Sequence, residues 1–409
     1  MGGDVTGVET MKRAVVLVCT AILFSACVGD GGTATTTETI TAPPTSDPAS
    51  GTTMAARDAP DSDVECHGEG RNPEQPVTFE PADSPVPDGV SELSLDAPVL
   101  DIAVGDGVVW VITAATADVS NRLIGVDAET MEVTGEIQLE DASRLAVRDD
   151  LWVTQMWRDV IVRVSPESLS SPSLIRVPPL PPGAALGGVD NCFGPSAIAV
   201  TDRGAWFDGR GVVGFANAET GAVTVVLPPN GEISKGGNVV VGFDFVWVES
   251  GGGQVWRIDE MTLEWVGGIQ VGQYSGHSVS SLTVGPRALW VAGQAFERDA
   301  DGLVTEHLAA EGGGVSIVDI VDASVIDTVD FDHPLVLASD SQEVMVAWEE
   351  EVGLWVFDGA TTPTNRRLVA CFDGPVGSVA VTDGVAWLGH YDLGQVWKVP
   401  LNAISSCPG

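Results

Sequence analysis

The chain is poor in the residues that most charged partners require. Of its 409 residues, 19 are Lys or Arg against 58 Asp or Glu, a formal charge of −39. A surface so short of cations excludes nucleic-acid backbones and anionic membrane surfaces as partners. Acidity this spread out reads as solubility rather than as a site. The six cysteines contain no Cys-x-x-Cys pair, which excludes the usual zinc spacings. Long apolar runs are also missing: the stretch Ala14 to Phe24 holds 11 residues, where a membrane-spanning helix needs roughly 20.

That stretch follows Met11-Lys12-Arg13 and ends at Ser25-Ala26-Cys27. A basic start, a short apolar core and small residues make a secretory signal over residues 1–26, with 1–10 an upstream start artefact or a long n-region. Phe24-Ser25-Ala26-Cys27 resembles the lipobox of bacterial lipoproteins, although Phe24 stands where Leu is usual. The resemblance implies that Cys27 carries lipid and that the exported chain is anchored at the outer face of the cell membrane. The alternative is an ordinary secretory signal with a coincidental cysteine.

Residues 27–63 are Thr, Pro, Ser, Gly, Ala and Asp with almost no large apolar side chain. Such a segment cannot bury enough surface to offset its ordering entropy, so it reads as a disordered tether reaching on the order of 35 Å. Residues 64–89 stay Pro-rich but contain Cys66, which marks a segment pinned to the domain that follows.

From residue 90 a repeat dominates. Trp110, Trp152, Trp206, Trp247, Trp290, Trp348 and Trp387 recur every 39 to 58 residues, near the frame "apolar, Val, polar turn, apolar, Trp, Val". Alternating apolar residues around turns such as Gly105-Asp-Gly107 describe a hairpin, strands A and B of a blade. A third strand follows in each unit, as in Val160 to Val164 or Gln395 to Val399. Several third strands end on Asp or Asn with Thr three residues on (Asp127 and Thr130, Asn217 and Thr220, Asp259 and Thr262), a pattern that closes tight turns and makes these polar residues structural. The last unit runs out after three strands, whereas Val90 to Asp96 precedes the first as an unpaired strand. The expectation is an all-β, seven-bladed β-propeller over residues 90–409, closed by that N-terminal strand completing the last blade.

These repeats resemble the secreted bacterial propellers with YVTN or NHL repeats, a group that includes virginiamycin B lyase-like and lactonase-like proteins, over about residues 90–402. The resemblance is specific for fold, since the frame recurs in propellers of unrelated activity. Quinoprotein propellers share an Asp-x-x-Thr-Gly turn followed by a docking Trp; here Asn217-Ala-Glu-Thr220-Gly221 leads to Ala, Val and Thr, so no quinone is expected.

In a propeller the D to A and B to C connections share one face. Here that face carries the long segments Pro178 to Pro195, Gln294 to Gly313 and Thr113 to Asn121, and extra loop length is where function is usually added. A ligand-binding face is therefore expected from Trp157, Arg158, Tyr274, His277, Phe296, His390, Tyr391 and Asp392, which suit a small polar ligand or an envelope protein bound by a monomer. His277 and His390, with Glu249 or Asp392 assisting, are the candidates for a metal-assisted lyase or lactonase-type reaction, the competing class. Asp299-Ala-Asp301-Gly302 with Glu306 forms a partial calcium loop, the sole hint of Ca or Mg, and lacks the full ligand spacing; otherwise no cofactor is expected. After removal of the signal, Cys66, Cys192, Cys371 and Cys407 allow three pairings. Cys192 and Cys371 fall before strand A of distant blades, so Cys371–Cys407 and Cys66–Cys192 are the expected bridges.

Overall fold

The computed structural model describes residues 86, 89–116, 120–155, 158–178, 194–209, 212–227, 237–251, 253–271, 277–298, 304–308, 313–331, 334–340, 344–349, 353–358, 366–371 and 376–402. The expected signal, Cys27, the expected tether and most of the Pro-rich segment lie outside them.

The described strands hydrogen-bond into seven antiparallel sheets, five of them simple meanders of strands A to D. The first is Val99–Gly105, Val108–Thr113, Arg122–Asp127 and Val133–Gln138. The second is Ala142–Val147, Leu151–Gln155, Val160–Ser165 and Ser168–Arg176. The third is Ala197–Thr201, Gly204–Gly209, Val212–Asn217 and Val223–Val226. The fourth is Val239–Gly242, Phe245–Gly251, Gln254–Asp259 and Trp265–Gln270. In the fifth, His277–Val284, Ala288–Arg298, Gly314–Asp319 and Ser324–Asp330 are joined by a side strand, Val304–Leu308. The sixth is Pro334–Ser339, Val344–Glu349, Gly353–Asp358 and Arg366–Ala370. The last sheet takes strands A to C from Val376–Thr382, Val385–His390 and Gln395–Pro400, and its fourth from Ser91–Ser94 at the other end of the domain.

Strand A of each sheet lies against strand A of the next, and Val99–Gly105 lies against Val376–Thr382, so the circle closes as a β-propeller. The closing register is explicit: Ser91 opposite Lys398, Leu93 opposite Val396 and Ser94 opposite Gln395. An otherwise bare edge of the last sheet is thereby paired.

The tryptophans act as spacers between sheets. Trp110 packs with Leu145, Leu151 and Val153 of the second sheet, and Trp206 with Val239, Val246 and Val248 of the fourth. Trp247 and Trp290 are buried in the same manner. The sixth unit departs from the pattern. There the residue paired with Ala338 on strand A and Val356 on strand C is Val346, the place that Trp206 holds between Ala199 and Phe215. Trp348 therefore does not occupy the spacer position, and spacing alone misplaced it by two residues. Val346 packs instead with Val376, Val379, Leu388 and Trp397 of the last sheet, while Phe357 meets Trp290 of the fifth sheet at 5.2 Å between ring centroids.

One face of the ring is made of short, self-satisfied turns. Asp106 and Asp383 adopt φ of 52° and 50°, followed by Gly107 and Gly384 at 75° and 72°, the left-handed pair that a two-residue hairpin turn requires. Asp127 Oδ1 accepts hydrogen bonds from the amides of Glu129 and Thr130 and from the Thr130 hydroxyl. Asn217 and Asp259 repeat the arrangement, and the bonds hold Asp127 and Asp259 below the usual carboxylate range. Cations secure the same face. Arg163, Arg257 and Lys398 stand opposite Trp152, Trp247 and Trp387 in register. Each covers that ring and donates to a carbonyl in the C to D turn of the next sheet, at Ala218, Ile320 and Ala128 respectively.

Candidate functional site: a buried acidic pair where strand B ends

On the opposite face the strand ends are polar and buried. Strand B reaches that face, and the residues at or near its end include Thr113, Thr154, Gln155, Asp208, Glu249 and His390, all buried. Burying such groups is costly unless each finds a partner, so the question is what they hold.

The acids hold the neighbouring sheet. Asp208, 1% exposed, accepts from the Gly237 amide at 2.7 Å and from the Ser196 hydroxyl at 3.1 Å. Glu249, 3% exposed, accepts from the Asn238 side-chain amide at 3.2 Å and from the Val279 amide. Asp159, in the B to C turn of the second sheet, accepts from the Gly194 amide at 2.6 Å. Thus Asp159, Asp208 and Glu249 each receive a backbone N–H from the segment entering the following sheet. Strand A residues work likewise elsewhere: Asp101 accepts from Leu145 N, Ser281 from Leu337 N and Ser378 from Ile102 N.

Asp208 and Glu249 are close. A Cβ added at Gly237 would stand 2.9 Å from Glu249 Cβ and 3.2 Å from Asp208 Oδ2, so one glycine separates the two side chains. Burial pushes Asp208 up to about 7, against the pull of its amide and hydroxyl donors and of Arg144. Burial, then the charge of Asp208, pushes Glu249 up to about 8. Two carboxyls on adjacent sheets therefore change protonation near neutral pH, which suits proton transfer or a proton-linked contact. Asp101 is also raised by burial.

His390 ends strand B of the last sheet and is fully buried, its ring 3.8 Å between centroids from that of Trp397. Burial lowers it to about 3, which makes it neutral at physiological pH rather than a surface base. Tyr391 and Asp392 follow in the B to C turn, Tyr391 half-buried and Asp392 exposed. Arg158 is exposed at the corresponding turn of the second sheet, where Glu140 and Asp141 engage its guanidinium. His277 and Phe296 lie on strands of the fifth sheet, with His277 opposite Ala295 and Phe296 opposite Leu308. Trp157 and Tyr274 fall outside the described residues, so the face brings together Arg158, His390, Tyr391 and Asp392 at strand and turn positions of two sheets, and His277 and Phe296 in a third.

The segment from Gln294 to Gly313 is not one long loop. Strand B of the fifth sheet continues to Arg298 and pairs with Val304–Leu308, with Arg298 opposite Val304. The alternation of Gln294, Phe296 and Arg298 with Ala295 and Glu297 carries the strand onward, and Glu306 belongs to its hairpin partner. Asp299 and Asp301 lie outside the described residues, between those two strands. Among the described residues no three His, Cys, Asp or Glu side chains are grouped to hold a metal ion. Cys371 is in a disulfide; its partner, and Cys66, Cys192 and Cys407, lie outside the described residues, so neither expected pairing is established.

An open groove of about 490 Å³ lies away from this chemistry, on the tight-turn face between the second and third sheets. Two of its arginines are engaged by acids: Arg148 by Asp202 at 2.5 Å and Arg163 by Asp150 at 2.7 Å.

In the sequence Glu249 stood out only as an assistant to the histidines, and Asp208 did not stand out. Both sit two residues after a spacer tryptophan, where other strands carry Ile112, Ala292 and Gly389. A charge at a repeat position that carries none in the first, second, fifth and last sheets was the available signal.

No protein-family model matches the chain, and no curated protein does. Solved structures do. Virginiamycin B lyase from Staphylococcus aureus is similar with a TM-score of 0.56 and 13% identity, over 76% of this chain and 99% of the other. Hydrazine synthase from Kuenenia stuttgartiensis gives 0.58 and 14%, over 76% and 98%. The Pan2 WD40 domain of Neurospora crassa gives 0.55 and 13%, over 76% and 92%. At such identities the likeness is one of fold: this chain is a β-propeller.

Proposed function

We propose that the chain is an exported, lipid-anchored, seven-bladed propeller that works at the cell envelope as a binding module, taking a small polar ligand or a protein on the face where strand B ends. One observation carries this reading. Buried polar side chains gather at the B ends of the sheets, whereas the other face is closed by turns that satisfy themselves. A face that must meet a ligand keeps directed polar groups on rigid strands. Arg158, Tyr391 and Asp392 supply its accessible rim.

The test is amide chemical-shift mapping of the natural chain against a panel of sugars and short peptides. Binding that perturbs residues 113–116, 155–159 and 390–394, and that weakens in Arg158→Ala and Tyr391→Ala, supports the reading. Perturbation confined to the tight turns at 105–107, 148–150 and 202–204 contradicts it.

A second reading, a lyase or lactonase-type hydrolase on the same face, is favoured by the pair raised to about 7 and 8, since acids poised near neutrality can carry protons at working pH. Here Glu249 and Asp208 would be the proton carriers, with His277 the remaining histidine candidate. Turnover of lactones or cyclic esters that Glu249→Gln abolishes would establish it. Turnover unaffected by Glu249→Gln would remove the pair from the chemistry.

A further inference from the structure

Asp208 and Glu249 lie on adjacent sheets, and each is the acceptor for backbone that enters the next one: Gly237 at the start of the fourth sheet and Val279 in the fifth. Asn238 ties them further. Its side-chain amide donates to Glu249 Oε2 at 3.2 Å and to the Ser280 carbonyl at 3.4 Å, while its own carbonyl accepts from Glu249 N at 3.0 Å. Gly237 leaves no side chain between the Cβ of Glu249 and the carboxyl of Asp208. The two buried carboxylates repel each other when both are charged.

We propose that Asp208 and Glu249 form a proton-operated clasp between the third, fourth and fifth sheets, shut while the pair holds protons and loosened as they leave. The clasp would regulate the face described above, and it rests on that reading only for its biological use.

The charged surroundings are few among the described residues. Asp208 feels Arg144 from strand A of the second sheet, and Glu249 feels Asp208. Ser196, Asn238 and Ser280, from the elements packed against them, are uncharged at any relevant pH. Strand A of the fifth sheet also begins with His277, whose side chain lies outside the described residues.

The sign follows from linkage. Both acids bind protons more tightly in the shut state than in an opened one, where they return to the ordinary carboxylate range. Opening therefore releases protons, and raising the pH from about 5 to about 7 makes it easier, with a plateau above about 8.

Amide hydrogen exchange of Gly237 and Val279 in the natural chain, corrected for intrinsic rates, reads this directly and needs no ligand. The expected opening constant rises about tenfold or more per pH unit between pH 5 and 7 and levels off above 8. Glu249→Gln removes one titrating group and lowers that slope, and Asp208→Asn does the same. If either variant does not fold, the profile of the natural chain and the other variant decide. A flat profile in the natural chain, or an unchanged slope in a folded variant, overturns the clasp. Neither result depends on ligand binding, so the binding reading fails or stands on its own measurement.

Discussion

Ser378 in the last sheet donates a 2.8 Å hydrogen bond to Asp101 in the first, and its hydroxyl oxygen accepts from the amide of Ile102 at 3.0 Å. One serine thus serves both sides of the seam between the last sheet and the first. Asp101 passes the connection on to the second sheet through the Leu145 amide at 2.8 Å. Replacing Ser378 by Ala leaves a buried amide and a buried carboxyl short of a partner, which costs about 1–3 kcal/mol. Urea unfolding should show that loss as a lower midpoint with an unchanged slope. Ser281→Ala, which frees the Leu337 amide, should cost a similar amount; two neutral substitutions would contradict the stapling role.

The N-terminal strand should matter out of proportion to its four residues. Leu93 packs against Trp387 and Val396, and Lys398 reaches across to the Ala128 carbonyl at 2.5 Å. A chain beginning at residue 86 keeps the closing strand and is the reference. One beginning at residue 97 exposes the edge of the last sheet and should melt lower by about 5 °C or more. Equal melting temperatures would show that the closing strand is dispensable.

The spacer tryptophans are expected to dominate stability. Trp206 is fully buried between the third and fourth sheets, so Trp206→Ala should cost about 3–5 kcal/mol. Val346→Ala, at the same register position in the sixth sheet, removes far less volume and should cost about 1–3 kcal/mol. Equal losses would mean that the register equivalence is wrong.

Charge on the acidic pair opposes folding at high pH. A carboxyl raised in the folded state contributes stability that is full below its ordinary range and is lost as pH rises through the folded value, here about 7 for Asp208 and about 8 for Glu249. Glu249→Gln keeps an oxygen for the Asn238 amide but cannot ionise. It should therefore raise the melting temperature at pH 9 relative to the natural chain and leave it little changed at pH 5. A variant equally displaced at both pH values would contradict the assignment.

The fold was legible because its cues are local and repeated. Asp-Gly turns, spacer tryptophans and the Asp127–Thr130 type of closure each depend on a few neighbouring residues, and Val90 to Asp96 could be paired because the last unit visibly lacked a strand. The sixth unit was less legible: spacing pointed to Trp348, while pairing puts Val346 in the spacer position, and only register distinguishes residues two apart on one face of a strand. The hairpin at 294–308 was hidden by length, since a long insertion looks alike whether it loops or extends a strand. The site was hardest. Asp208 and Glu249 lie 41 positions apart in a chain with 58 acids, and what sets them apart is burial and the glycine between them. His390 misled for the converse reason: its type suggested a surface base, and its burial against Trp397 makes it neutral.

The most direct measurement is a carbon-13 carboxyl titration of the natural chain, with the signals of Asp208 and Glu249 assigned through Asp208→Asn and Glu249→Gln. The account predicts midpoints near 7 and 8, well above those of exposed acids such as Asp127. Both carboxyls titrating near 4 would contradict it, because two acids that ionise so readily could neither hold protons at neutral pH nor be buried side by side.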